Sequence, residues 1–238
     1  MVESLLKVEG LCAGYGEVQV LWGLDIEISA GEITCIVGSN GAGKTTLLRV
    51  LSGVLPTRSG LISFAGQNVT DCDAAGCLSR GIVHVPEGRR LFRGMSVRDN
   101  LLVGAYLRRD KAEIKRDLDF VFSIFPILGE RYSQDATTLS GGEQQMCAIG
   151  RGLMSKPELL MIDELSLGLA PRLVERLGET LIEVNKNGLT ILIVEQDVMT
   201  ALELATHGFV VEQGRVEIFG SSQMLAKNPS IRQAYLGM

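Results

Sequence analysis

The chain has 238 residues, of which 46% are hydrophobic and 21% charged, a composition typical of a globular protein with a sizeable core. The net charge is −5 and no block is strongly basic, which argues against nucleic acid as the main ligand. No stretch approaches the roughly 18 uninterrupted apolar residues that span a bilayer, and residues 1–11 lack a signal-peptide pattern. We therefore expect a cytosolic protein.

The first part of the chain predicts strands, one helix and no disulfide framework. Residues 5–28 read as strands broken by turns, and their alternation indicates an antiparallel pair. The apolar run at 33–37 predicts a further strand, and a helix pattern begins at Lys44. The five cysteines are odd in number and form no Cys-x-x-Cys pair. We interpret Cys35, in a predicted strand, and Cys147, in a predicted helix, as small buried residues, with a reactive thiol as the alternative.

Strand patterns stop after a short strand at 83–86 and resume at 159–163. Between them, residues 96–156 hold little strand signal, and apolar side chains recur on one helical face. The region is either a helical layer of the same domain or an inserted helical subdomain, which we place at approximately 92–156 within a single domain of 1–238.

The last third of the chain alternates helix and strand. A helix is predicted from about Pro171 to Lys186. Residues 191–194 form an apolar run typical of a strand buried on both faces, and three polar residues follow it. Residues 208–220 predict a hairpin that turns at Gln213 and Gly214.

A glycine-rich segment follows the strand at 33–37 and opens the next helix. Its sequence, GSNGAGKTT, matches G-x-x-x-x-G-K-[ST] in the required strand–loop–helix context. Such a loop folds around an anion, with backbone N–H groups and the helix N-terminus pointing at phosphates. Lys44 can reach the β- and γ-phosphates, and Thr45 can ligate Mg²⁺. The predicted nucleotide-binding residues are Gly38, Ser39, Asn40, Gly41, Ala42, Gly43, Lys44, Thr45 and Thr46.

The strand at 159–163 leads into two carboxylates. Asp163 can hold the Mg²⁺ shell, as in other P-loop NTPases, and Glu164 is placed to polarise an attacking water. Alone this pattern is weak, because many strands end in acids at turns. It becomes strong when it follows a phosphate loop in the same chain.

The segment LSGGEQQ at 139–145 resembles the signature motif of ABC-transporter ATPases. Taken alone it predicts a helix start, with Ser140 as the cap and Glu143 in the first turn. A helix start with little side-chain cover also accepts a phosphate. In this family the signature of one subunit binds the γ-phosphate on the other subunit's phosphate loop. The resemblance therefore implies that Ser140, Gly141 and Gly142 act on a partner's ATP.

The resemblance covers essentially the whole chain. Tyr15 stands where the family stacks an aromatic ring on adenine, with an exposed turn tyrosine as the alternative. Residues 166–171 stand at the D-loop, which lies across the dimer interface. Residues 85–92 stand at the Q-loop, which couples ATP binding to the membrane subunit, and 191–197 at the switch loop. The implied fold is α/β, a P-loop NTPase with a mixed or parallel central sheet, an N-terminal antiparallel β region and an inserted helical subdomain.

More narrowly, several segments resemble the LivF-type subgroup that serves branched-chain amino acid uptake: VPEGRR, LSGGEQQM, SLGLAP, ILIVEQ and AYLG. Glu87 replaces the usual Q-loop glutamine and Gln196 the usual switch histidine, both as in this subgroup. Leu165 stands where the subgroup typically has proline, and leucine leaves that turn looser. The implied catalytic residues are Glu164 and Gln196, and the implied metal-binding residues are Thr45, Asp163 and Glu87.

The resemblance implies the ATPase subunit of an importer of branched-chain amino acids, using ATP and Mg²⁺. Its implied partners are a second ATPase subunit, expected to be a paralogue, two transmembrane permease subunits and, indirectly, a periplasmic or extracellular solute-binding protein, but no nucleic acid. Its implied place is the cytoplasmic face of the membrane. An importer of urea, amides or other amino acids is the alternative. A non-transport ABC ATPase is more distant, because the chain lacks coiled-coil, zinc or tandem-domain insertions, and a generic P-loop kinase does not account for LSGGEQQ.

Overall fold

Two β-sheets form the centre of the computed structural model, which describes residues 4–236. The smaller sheet consists of β1 (Ser4–Tyr15), β2 (Val18–Ser29), β4 (Ser59–Phe64) and β5 (Gln67–Asn68). Its strands run antiparallel in the order β2-β1-β4-β5. The predicted antiparallel region near the N-terminus is therefore confirmed.

The larger sheet has six strands. They are β3 (Ile33–Val37), β6 (Ile82–Val85), β7 (Leu159–Asp163), β8 (Thr190–Glu195), β9 (His207–Glu212) and β10 (Arg215–Ser221). The order is β10-β9-β3-β8-β7-β6, parallel except for the β9–β10 hairpin. That hairpin turns at Gln213 and Gly214, as predicted, and both have positive φ. Because the carboxyl ends of parallel strands meet at one edge, the segments that follow β3, β7 and β8 lie close together.

Helices cover the larger sheet. They are α1 (Lys44–Leu51), α2 (Ala74–Ser79), α3 (Val97–Gly104), α4 (Lys111–Ile124), α5 (Pro126–Glu130), α6 (Gly141–Leu153), α7 (Pro171–Lys186), α8 (Val198–Leu204), α9 (Ser222–Lys227) and α10 (Pro229–Leu236), with a 3₁₀ turn at Ala136–Thr138. The sequence predicted the bounds of α7 but did not single out α2, α8, α9 or α10, which are short.

The burial of strand β8 on both faces explains why residues 191–194 are all apolar. Ile191 and Ile193 face one hydrophobic cluster, formed with the helices, while Leu192 and Val194 face the other, formed between the sheets and α1. All residues of β8 are buried. The predicted strand buried on both faces is confirmed, and its polar end directly follows residues that pack into both clusters.

The helical region from α3 to α6 is inserted between β6 and β7. Helix α6 packs on both strands, and Leu101 and Val121 belong to the same hydrophobic cluster as Leu160 of the sheet. The region therefore shares one core with the sheet that carries the strand ends. Within this core Cys147 is buried, as is Cys35 on β3, which confirms their interpretation as buried residues.

Candidate nucleotide site

The glycines of the phosphate loop are required by two different constraints. Gly38 passes so close to β9 that a Cβ would clash with the backbone oxygen of Val211. Gly41 and Gly43 have φ of 81° and 106°, a left-handed backbone that favours glycine. The loop between β3 and α1 therefore depends on glycine for both packing and backbone conformation.

The N-terminus of α1 is open towards the loop. No side chain caps it, and its first turn contains no acidic residue. Its first N–H groups can therefore donate to an anion. Lys44 is only 6% exposed, and its Nζ donates to the carbonyl oxygens of Gly38 at 2.8 Å and Ser39 at 3.3 Å. The ammonium group is thus folded over the loop.

A cavity of about 380 Å³ lies over the phosphate loop. It brings together the loop and the segments that follow β6, β7 and β8. The predicted site residues that line it are Asn40, Gly41, Ala42, Gly43, Lys44, Thr45, Thr46, Glu87, Glu164 and Gln196. Val20 of β2 also lines the cavity. It could not be identified from the sequence, because an apolar residue on a strand has no chemical feature that marks a site.

Asp163 ends β7 beneath this cavity. It is 1% exposed, and neither carboxylate oxygen has a hydrogen-bond partner among the residues that the structure describes. Burial raises its pKa from 3.8 to about 6, and the neighbouring carboxylates of Glu164 and Glu87 add to the rise. A buried carboxylate without donors is unfavourable unless a cation compensates it. The carboxylate therefore fits a Mg²⁺ site.

Carboxylates alone do not complete such a site. Within residues 4–236, no group of three or more His, Cys, Asp or Glu is arranged to hold a metal ion. Mg²⁺ commonly binds through one or two carboxylates, with phosphate oxygens and waters completing its shell. The donor set around Asp163 is therefore consistent with an ion that arrives together with a nucleotide.

Glu164 follows β7 in an unusual backbone conformation. Its φ is 56°, a left-handed value that residues other than glycine rarely adopt. Its N–H donates to the carbonyl oxygen of Val194 at 2.9 Å, and its Oε1 lies 3.7 Å from the Nζ of Lys44. The next residue, Leu165, is fully buried. The turn that lacks the subgroup's proline is thus anchored by a buried leucine side chain.

Tyr15 lies beside α1, outside the residues that line the cavity. It is 41% exposed, and Arg49 Nη1 donates to its hydroxyl at 2.9 Å. The Arg49 guanidinium lies 5.9 Å from the ring centroid, and the hydroxyl lies 3.4 Å from Thr46 Oγ1. The ring is therefore adjacent to the phosphate-loop helix, and its stacking on adenine stays a prediction.

The signature residues lie apart from the cavity. Ser140 caps α6 in a capping box, in which the Glu143 N–H donates to Ser140 Oγ at 3.4 Å and the Ser140 N–H donates to Glu143 Oε2 at 2.8 Å. A Cβ on Gly142 would clash with Leu173 of α7, so the two helices approach closely there. The predicted helix start is confirmed, and its action on a partner's ATP stays a prediction.

The three polar residues after the apolar run of β8 have three different surroundings. Gln196 is exposed and lines the cavity, and Asp197 caps α8 by accepting from the N–H groups of Met199 and Thr200. Glu195 is fully buried. Of these three residues, only Gln196 was predicted from the sequence to have a role. A charged residue directly after a doubly buried run was the signal that could have identified Glu195, because a buried carboxylate requires donors.

These features together define a class of protein. A phosphate loop after β3, carboxylates at the end of β7 and a separate glycine-containing helix start at α6 are the parts of an ATP-binding cassette ATPase. Residues 21–166 match the ABC transporter family, and this chain belongs to that family. The chain is therefore an ATP-binding protein and an ATPase. None of the helices within residues 4–236 is long and apolar enough to cross a membrane.

Two relatives indicate the subgroup within this family that the chain is similar to. The chain is 42% identical to the high-affinity branched-chain amino acid transport ATP-binding protein BraG of Pseudomonas aeruginosa, over 98% of this chain and 100% of that protein. It is 33% identical to a probable branched-chain amino acid transport ATP-binding protein, LivF, of Archaeoglobus fulgidus, over 98% of this chain and 99% of that protein. The predicted resemblance to this subgroup is confirmed.

Solved structures support the fold. A nucleotide-free ATP-binding cassette from an ABC transporter has a TM-score of 0.87 and 26% identity, covering 99% of this chain and 100% of that chain. The ADP conformation of another ABC transporter cassette has a TM-score of 0.83 and 27% identity, with the same coverage. The predicted α/β fold of an ABC ATPase is confirmed.

Proposed function

We propose that this chain is the ATPase subunit of an importer of branched-chain amino acids. The cavity in which Lys44, Glu164 and Gln196 converge carries the proposal of ATP hydrolysis at this site. The similarity to BraG and LivF over nearly the whole length supports the choice of substrate.

ATP binds with its phosphates on the loop at 38–46. The Lys44 ammonium exchanges the carbonyl oxygens of Gly38 and Ser39 for β- and γ-phosphate oxygens, and the open start of α1 donates to the same anion. Tyr15 packs against the adenine. A hydrogen bond to a charged group contributes roughly 1.5–3 kcal/mol, so several contacts together hold the nucleotide.

Thr45, Asp163 and Glu87 are the residues that would hold Mg²⁺. When bound, the ion neutralises phosphate charge during phosphoryl transfer. The unpartnered oxygens of buried Asp163 support this assignment most strongly. Glu87 is exposed at the cavity edge and contributes a further oxygen donor.

Glu164 polarises the attacking water. Its left-handed backbone turns the side chain towards Lys44 and the cavity. Gln196 faces the same cavity and orients the γ-phosphate or the water without transferring a proton, because its amide does not titrate. Catalysis is then mostly positioning and electrostatic stabilisation.

A second ATPase subunit completes the site. Ser140, Gly141 and Gly142 do not line this chain's own cavity, which supports their action on ATP held by a partner. Residues 92–156 then act as a helical subdomain that carries the signature towards that partner. The D-loop at 166–171 lies next to the cavity through Leu167.

A groove of about 470 Å³ between the Q-loop, α3 and α6 is where we place a helix of the permease. Phe92 and Arg151 line it, and Phe92 is 47% exposed. Arg151 donates to the backbone oxygens of Arg89 at 2.9 Å and Arg90 at 2.7 Å. Movement of a helix in the groove is therefore transmitted through Arg151 to the turn that follows Glu87. Through the permease the chain is held at the cytoplasmic face of the membrane.

Reconstitution with the permeases tests the proposal. The chain, a second ATPase subunit and candidate permeases are purified together in lipid, and hydrolysis is measured with solute-binding protein loaded with leucine or with urea. We expect stimulation by the leucine-loaded protein. Stimulation only by the urea-loaded protein would show that urea, not a branched-chain amino acid, is the substrate. Failure to co-purify with any permease would contradict the importer assignment. Lys44→Ala is the control, because it should weaken ATP binding in calorimetry without altering the groove.

A further inference from the structure

Glu195 is the last residue of β8, and its fully buried carboxylate accepts three hydrogen bonds. The Ser166 N–H donates to Oε1 at 2.7 Å, and the Ser166 hydroxyl donates to Oε2 at 3.0 Å. The Gln196 N–H donates to Oε2 at 3.2 Å. One carboxylate therefore joins the segment after β7 to the segment after β8.

Ser166, which donates to Glu195, lies two positions after Glu164. Strand β8 fixes this turn at two points, because Val194 accepts from the Glu164 N–H and Glu195 accepts from Ser166. A residue other than glycine persists in a left-handed backbone only where its surroundings over-determine it. The contacts from β8 are the surroundings that hold Glu164 at φ 56°.

We propose that Glu195 is a positioning residue for ATP hydrolysis. It is fully buried and does not line the cavity, so it acts through the residues it is hydrogen-bonded to and not by contact with ATP. It sets the position of Glu164 through Ser166 and that of Gln196 through the backbone, so that the two side chains keep a fixed spacing across the cavity. The inference rests on the proposed role of Glu164 in polarising water.

A carboxyl group satisfies the two backbone N–H groups and the Ser166 hydroxyl together, whereas an amide does not. In Glu195→Gln the single amide oxygen can face either the Ser166 N–H or the Gln196 N–H. The NH₂ group then faces the remaining backbone N–H, and two donors oppose each other. The Ser166 hydroxyl adapts, because it can rotate to accept. The isosteric variant thus disconnects one of the two segments with almost no change in volume.

Four variants test the inference by steady-state hydrolysis and by calorimetry of ATP binding. Glu195→Gln should lower kcat by about 10- to 100-fold and leave the Kd for ATP within about twofold, since no phosphate-loop atom is changed. Ser166→Ala should lower kcat by about 3- to 10-fold, and Ser166→Thr, which keeps the hydroxyl, should restore it. The double variant Glu195→Gln/Ser166→Ala should show a smaller fold-loss in kcat than the product of the two single losses, because both substitutions act through one contact.

Glu203→Gln is the matched control. It makes the same chemical change at an exposed position of α8 and should leave kcat unchanged. Unfolding in urea shows which variants are folded. If Glu195→Gln does not fold, the difference between Ser166→Ala and Ser166→Thr carries the test.

Three results would overturn the inference: wild-type kcat in Glu195→Gln, equal kcat in the two Ser166 variants, or a loss in ATP affinity that matches the loss in kcat. Glu164→Gln is measured alongside. If it abolishes turnover while Glu195→Gln keeps the kcat of wild type, the positioning role alone is wrong. If it leaves turnover undiminished, the proposed role of Glu164 is wrong, and the positioning role falls with it.

Discussion

Replacing Asp163 with asparagine should change how the stability of the nucleotide-free protein depends on pH. Burial raises the pKa of this carboxyl from 3.8 to about 6. Because the pKa is higher in the folded protein than in the unfolded chain, the folded protein binds more protons between these two values. Wild-type stability therefore falls as pH rises through this window, and Asp163→Asn removes that fall.

The size of the effect follows from the two pKa values. They differ by about 2.2, and a tenfold change in ionisation corresponds to about 1.36 kcal/mol, so the full effect is about 3 kcal/mol. Between about pH 4 and about pH 8, the linkage relation predicts that the free energy of unfolding of wild type falls by about 2–3 kcal/mol through this group. Burying the asparagine amide without partners is unfavourable by about 1–3 kcal/mol, but that contribution is the same at every pH.

The assay is urea unfolding in the presence of a chelator and without nucleotide, across this pH range. The free energy of unfolding of Asp163→Asn, relative to wild type, should rise by the amount above as pH increases. Asp71→Asn, at an exposed position, should show no such trend. A difference between Asp163→Asn and wild type that does not vary with pH would refute the reasoning. The same variant should lose hydrolysis, because it removes a proposed Mg²⁺ ligand.

Two further predictions concern the loop and the switch position. Gly38→Ala should destabilise the fold by about 1–3 kcal/mol through its clash with Val211. Gly41→Ala meets no atom of residues 4–236 within 4 Å, so it should lose only the roughly 1–2 kcal/mol of a left-handed backbone. Urea unfolding ranks them, and a larger loss for Gly41→Ala would contradict the packing argument. Gln196→His should give hydrolysis a new pH dependence near about 6–7, where an unperturbed histidine titrates. A pH profile identical to that of wild type would place the side chain away from the phosphate.

The parts of the site that could be predicted are local in sequence. The phosphate loop carries its glycines, lysine and threonine within nine consecutive residues, GSNGAGKTT, and its strand and helix flank it directly. Strand β8 was predictable because a run without polar residues must be buried on both faces. The capping of α6 by Ser140 was predictable because a capping box spans only four residues.

The parts that could not be predicted depend on contacts between distant segments. Glu195 and Ser166 are 29 residues apart, and only the parallel pairing of β7 with β8 brings them together. The hydrogen bond from Arg49 to Tyr15 joins α1 to β1 of the smaller sheet. The missing donors around Asp163 likewise become visible only when its neighbours are placed. Residue type indicated the chemistry of these positions, whereas topology determined their partners.

The most direct test of ATP hydrolysis at this cavity is to measure ATP binding and turnover of Glu164→Gln on one preparation. The variant keeps the loop, Lys44 and the shape of the side chain but lacks a carboxylate to polarise water. We expect an ATP dissociation constant within about threefold of wild type and turnover lower by about 100-fold or more, as for loss of a general base. Turnover equal to that of wild type would contradict the proposed site of hydrolysis.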